Sequence, residues 1–257
     1  MTQPRGFTLI ELAVVFAIVG LLLGGFMYTV SAQTEQRNFE ETRRRLDQAR
    51  DLLLSFAIVH GRLPCPATAT STGDEAFAGA LCATYYGGWL PAKAIGYQQV
   101  DSGGYALDVW GNRIRYAVAK TKTNCSGAGP FNDPHFANAS NLRSNGITCQ
   151  PNDLLVCKSA TAAGLDASAN PPTCGAGGAN QIMSSGLVAA IVFSTGRNGA
   201  TSAGAGADEA QNLNGDALFV FHTPTPAGAA NGEFDDQFTW ITVGELYGKL
   251  IAAGILP

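Results

Sequence analysis

Charge is what this sequence has least of. Asp, Glu, Lys and Arg make up 14% of its 257 residues, and the balance is net −4. So little charge, so evenly divided, leaves no basic surface of the kind that neutralises a phosphate backbone, and nucleic acid is not an expected partner. Histidine is scarce too: His60, His135 and His222 stand far apart and off metal-ligand spacing, and no Cys-x-x-Cys occurs. A zinc centre is therefore not expected. Also missing are the Gly-x-Ser-x-Gly elbow, the phosphate-binding glycine loop ending in Lys-Ser or Lys-Thr, and a paired His/Glu metal motif. The cluster Gly175-Ala176-Gly177-Gly178 lies in Ala- and Gly-rich sequence with no strand before it, so it does not make a nucleotide loop. Nothing repeats at a fixed period. With no catalytic signature left, the chain is expected not to be an enzyme, and no cofactor is required.

What the sequence does have is an apolar run at its start, interrupted by one carboxylate. From Phe7 to Val30 about 24 residues are almost wholly apolar, enough for a helix of about 36 Å against a hydrocarbon layer of about 30 Å. Glu11 lies inside that run, where a charge costs about 2.5–3.5 kcal/mol. It therefore needs a function. An ordinary secretory signal fits poorly, because the apolar stretch is too long and Ser31-Ala32-Gln33 is a poor cleavage site. A plain single-span anchor explains the length but not Glu11. Arg5 alone precedes the run while Arg37, Arg43, Arg44, Arg45 and Arg50 follow it. Counting bases alone would leave the body in the cytoplasm; the leader and the cysteines favour export.

The segment Arg5-Gly6-Phe7-Thr8-Leu9-Ile10-Glu11-Leu12 resembles the prepilin processing site of type IV pilins and type II secretion pseudopilins. The resemblance implies cleavage by a prepilin peptidase between Gly6 and Phe7, N-methylation of Phe7, and assembly with other pilin or pseudopilin subunits through the helix that follows. Phe7 and Glu11 are four residues apart on one helical face, so the new cationic amine and the carboxylate are matched. Within a filament, as the resemblance implies, Glu11 neutralises the amine of a neighbouring subunit. The function expected is a pilin-like structural subunit of a type IV pilus or type II secretion filament. The alternative is a pilin-anchored tip adhesin or substrate-binding module. The location implied is the bacterial inner membrane, single-pass with the head in the periplasm, then the pilus or pseudopilus.

Beyond the apolar run, Phe39, Leu46 and Leu53 recur every seven residues with Thr42, Ala49 and Phe56 on the adjoining row. That spacing predicts a continuing helix with one face on a globular head, ended by Gly61 and Pro64. The organisation expected is a leader over 1–6, a transmembrane and filament-core helix over 7–30, its amphipathic continuation over 31–60, and a periplasmic head over 61–257. The fold class expected is α+β, with the long helix packed on an antiparallel sheet and disulfide-rich loops. Strands are predicted at Arg113–Val118, Leu187–Phe193, Ala217–Phe221 and Gln237–Val243, and a short helix after them.

All six cysteines, Cys65, Cys82, Cys125, Cys149, Cys157 and Cys174, follow the apolar run. An even number in an exported domain predicts disulfides, with 15 pairings possible. Short loops favour Cys65–Cys82 and Cys157–Cys174, leaving Cys125–Cys149 by elimination. Asp108-Val109-Trp110-Gly111-Asn112 resembles a turn of the major pseudopilins, and Phe193-Ser194-Thr195-Gly196-Arg197-Asn198-Gly199 their later glycine-rich loop, which in those proteins helps hold calcium. The resemblance implies a possible calcium site around Asn198, Asp208, Glu209 and Asp216. Asp235-Asp236 either joins that cluster or caps the final strand.

Overall fold

The computed structural model describes residues 8–120, 122–123, 135–169, 171–199 and 206–256, and the side chains of 23–32 and 122–123 fall outside that description. The chain divides into two compact units, Met1–Glu41 and Thr42–Pro257. In chain order the elements are α1 (Leu9–His60), β1 (Phe77–Ala78), β2 (Leu81–Cys82), β3 (Gly88–Trp89), α2 (Ala92–Ile95), β4 (Arg115–Val118) and β5 (Lys122–Thr123). Then come α3 (Ala139–Asn145), β6 (Gln150–Pro151), β7 (Leu155–Cys157), β8 (Leu165–Asp166), β9 (Thr173–Cys174) and β10 (Gln181–Met183). The chain closes with β11 (Val188–Ser194), α4 (Ala207–Leu213), β12 (Leu218–Val220), β13 (Gln237–Thr242) and α5 (Val243–Ala252). The first unit is helical throughout its described length and leaves its apolar side chains in the open, Leu9 at 89% and Leu21 at 80% exposure. Among the described residues no helix is long and apolar enough to cross a membrane.

The second unit begins inside α1. Thr42, Leu46, Ala49, Leu53 and Phe56 are all buried, which is the seven-residue pattern of the sequence expressed as one packed face. Gly61, at φ +66°, ends the helix in the left-handed conformation, and its N–H donates to Ala57 O at 2.8 Å. A side chain would be strained there, which is why glycine stops this helix.

The main sheet has the order β13-β11-β4-β3 with antiparallel neighbours throughout. Its centre is β11, where every residue from Val188 to Ser194 is buried; a continuous apolar run reads as a strand covered on both faces. Residues of α1, β4, β11 and α5 share one core. The helix α5 joins it through Val243, Leu246, Tyr247 and Leu250, spaced three and four apart.

A second sheet, β10-β7-β12, corrects the purely antiparallel expectation, because β12 runs parallel to β7. Parallel neighbours need a long connection, and here about 60 residues, including β11, intervene. The sheets are joined by aromatic packing: Phe219 of β12 meets Phe193 of β11 edge-on at 5.7 Å, and Phe193 in turn stacks on its sheet neighbour Phe238 of β13 with centroids 4.8 Å apart. Disulfides Cys65–Cys82 and Cys157–Cys174 are both formed. Each closes a loop of 17 residues, worth about 3 kcal/mol through the unfolded chain. Cys149 is also disulfide-bonded, while the Cys125–Cys149 pairing lies outside the described residues.

Candidate functional sites at the helix N-terminus and in the head

The first helix opens on a reciprocal cap. Glu11 N donates to Thr8 Oγ1 at 3.3 Å, and the Glu11 carboxylate accepts from Thr8 N at 2.9 Å and from Thr8 Oγ1 at 2.8 Å. This is the capping box, in which the first and fourth residues of a Thr-x-x-Glu sequence satisfy each other's exposed N–H groups. Gly6 and Phe7 lie outside the described residues. Among the described residues Glu11 bonds to Thr8 alone. The Thr-x-x-Glu signal was present in the sequence and was missed, because the pairing of Glu11 with the Phe7 amine took precedence.

In the head, the two loops singled out in the sequence are stitched to each other. Ser194 Oγ donates to Asp108 Oδ2 at 2.6 Å, and Asn112 Nδ2 donates to Gly196 O at 2.6 Å. Asp108 also accepts from Asn112 N at 2.8 Å, closing its own turn, while burial pushes its carboxyl above the usual range. Trp110, in the first of these loops, is half-buried.

The Phe193–Gly199 loop leads over a cluster of three buried carboxylates, Glu209, Asp235 and Asp236, with one oxygen of each within 4.8 Å of the others. Glu209 comes from α4; Asp235 and Asp236 come from the approach to β13. Arg197 N donates to Asp235 Oδ2 at 2.9 Å, and Asp235 N donates to Glu209 Oε1 at 2.9 Å. Asn212 Nδ2 donates to Asp236 Oδ2 at 2.7 Å. Asp235 Oδ1 is buried with no hydrogen-bond partner. Burial, opposed by the Arg197 N–H, raises the Asp235 carboxyl to about 6, and burial also raises that of Asp236. Gly196, at φ +64°, allows this approach: a Cβ there would sit 1.9 Å from Asp235 Oδ1.

Of the four residues expected to hold calcium, only two meet this cluster. Glu209 is part of it, and Asn198 donates its amide nitrogen to Glu209 at 2.9 Å. Asp208 faces elsewhere, accepting from Ala160 N at 2.6 Å and Asn231 Nδ2 at 2.9 Å, with His222 Nε2 at 3.2 Å. Asp216 closes a turn, accepting from Leu218 N at 2.8 Å and Asn214 Nδ2 at 2.8 Å. The other two carboxylates of the cluster are Asp235 and Asp236.

Residues 1–27 match the prokaryotic N-terminal methylation motif. The chain carries the type IV pilin and pseudopilin signature. No curated protein and no solved structure matches the chain. The pilin signature therefore stops at residue 27, before every cysteine and every strand. It includes Gly6, Phe7 and Glu11, and the Thr8 cap is the second residue after the expected cut. Pilin-type sequence and head geometry thus speak about separate parts of the molecule.

Proposed function

We propose that the chain is a pilin-like structural subunit of a type IV pilus or type II secretion filament. A prepilin peptidase cuts it between Gly6 and Phe7, Phe7 is methylated, and the helix beginning at Leu9 anchors it in the inner membrane until it packs against other subunits. The head then lies in the periplasm, where disulfides persist. The observation that carries this reading is the methylation motif over residues 1–27 with its single carboxylate at Glu11. The exposed apolar side chains between Leu9 and Leu22 support it, since each gains about 1.5–3 kcal/mol on leaving water. Mass spectrometry of the protein from its own cells tests it. The expected N-terminus is methyl-Phe7; an intact Met1 or a start near Gln33 overturns the reading.

For the head we propose that Glu209, Asp235 and Asp236 hold a calcium ion. Hard cations take oxygen ligands, and the orphaned Asp235 Oδ1 beside two further carboxylates fits that demand. When bound, the ion supplies positive charge to a site that otherwise retains protons. Calorimetric titration of the full chain with calcium chloride is expected to show saturable heat that Asp235→Asn removes; no heat at millimolar calcium overturns this assignment and leaves the filament reading intact.

A further inference from the structure

Among the described residues strand β13 is the last strand of its sheet, and only its β11 side is paired. The Trp240 carbonyl accepts from Arg50 Nε at 3.0 Å, so it points away from β11. Peptide groups of alternate residues in a strand face the same side, and the N–H and C=O of Phe238 therefore lie on the open edge too. No described hydrogen bond outside the ladder uses them. Bare edges of this kind are templates for another strand, and proteins usually cover them. Here Arg50 covers Trp240 and stops short of Phe238.

Next to this bare stretch is a cleft of about 350 Å³. Gln237, Phe238 and Thr239 form one wall, Leu46 another, and Phe221 and Pro224 a third. Its size and apolar lining suit one bulky side chain or a small ligand. Two features favour a peptide. The buried Gln237 side-chain nitrogen has no hydrogen-bond partner, and an entering carbonyl would supply one. On the rim, Arg43 and Asp47 are both exposed, and neither has an ion-pair or hydrogen-bond partner among the described residues. They are one helical turn apart, a rise of about 6 Å, close to the roughly 6.8 Å between alternate residues of a strand.

We propose that this cleft and the open β13 edge dock an extended segment of a partner polypeptide. The segment adds as a strand beside Gln237–Thr239, puts an apolar side chain in the cleft, and sets an acidic and a basic residue, two positions apart, against Arg43 and Asp47. Main-chain bonds to Phe238 give the contact its strength, and the two rim charges set its direction. The site is independent of the filament reading.

The test is an array of hexapeptides probed with the full chain in detergent. Its members alternate Thr with Val, Ile, Phe or Tyr and carry Asp and Lys two positions apart in either order; each is paired with its scrambled form and with two N-methylated forms blocking alternate amides. The expected result is saturable binding by one charge order, weakened about tenfold by N-methylation in one alternate set only, with slowed hydrogen exchange at the Phe238 amide. Arg43→Glu, an exposed change, is expected to weaken the preferred order about tenfold, the loss of one charge-assisted contact. The proposal is overturned if no member binds better than its scrambled form. Equal binding by both N-methylated forms overturns it as well, since that marks an apolar pocket for small molecules. Self-association of the chain that bound peptide fails to displace also counts against it.

Discussion

Two helices of this chain open on the same four-residue pattern, and their glutamates end up with different partners. At Thr8-Leu9-Ile10-Glu11 the carboxylate folds back on its own cap. At Thr242-Val243-Gly244-Glu245 the threonine again caps, with Glu245 N donating to Thr242 Oγ1 at 3.2 Å, but the carboxylate is held by both-oxygen contact with Arg50 Nη2. The difference teaches what a carboxylate at this position prefers. Given a guanidinium it takes the cation, because donor and acceptor then both carry charge; without one it stabilises the helix start. Glu11 thus has a local resting partner that a stronger one can displace. That behaviour suits a residue proposed to meet a neighbouring subunit's amine.

Glu11→Gln should separate the two roles most sharply. A glutamine can still accept from the cap, so helix formation is expected to persist while incorporation into filaments is lost; normal filament yield from this variant would show that charge is not what Glu11 contributes. In the head, Glu245→Ala is expected to cost about 2 kcal/mol, since it leaves a partly buried guanidinium without its anion. Arg50→Ala should not add to that in full, and chemical denaturation of the two single variants and the double variant measures the coupling. The caps themselves are worth less. Thr242→Ala should lower stability by about 1 kcal/mol, whereas Thr8→Ala should leave both head stability and filament incorporation near normal; loss of filaments in Thr8→Ala would make the cap, rather than the freed carboxylate, the assembly element.

A third arrangement sets the smallest effect. Among the described residues Asp235 has neither a cation nor a partner for Oδ1, and burial raises its carboxyl to about 6, above the ordinary carboxylate value near 3.9. The folded state then binds a proton more readily than the unfolded chain. Its contribution is fully present below the ordinary value and is lost as pH rises through about 6. Asp101 and Asp166, held low by hydrogen bonds, contribute in the opposite sense, and only where pH falls into the normal carboxylate range. Thermal melts without divalent cations should therefore show a falling Tm from pH 5 to 7, flattened by Asp235→Asn. A flat profile in the unmodified chain would contradict the raised Asp235 carboxyl.

What could be read from the sequence follows the range of the interactions involved. The seven-residue spacing of Leu46 and Leu53, the apolar run that became β11 and the loops closed by Cys65–Cys82 and Cys157–Cys174 are local patterns, and each survives in the fold. The parallel pairing of β7 with β12 depends on partners about 60 residues apart and leaves no periodic trace. The carboxylate cluster was legible only in part, for the same reason: Glu209 and the option of Asp235-Asp236 were there, the exclusion of Asp208 and Asp216 was not. Asp208 and Asp216 lie on the predicted loop, but a backbone N–H near residue 160 and a tight turn claim them, while Asp235 and Asp236 arrive from the other side of β12. Only the methylation motif, wholly local, spoke directly about function.

The tie between Arg50 and strand β13 sets a timetable for folding. Arg50 meets Trp240 and Glu245, partners 190 and 195 residues further along the chain, and β13 completes the sheet beside β11. A chain made N-terminus first cannot close its core until β13 and α5 have been synthesised, because the segment that meets α1 lies 190 residues or more beyond Arg50. During that interval the apolar strand β11 has no partner on its β13 side. A truncation before Gln237 would hold the head in that open, aggregation-prone condition permanently, so β13 and α5 act as the latch that ends the exposed phase of folding.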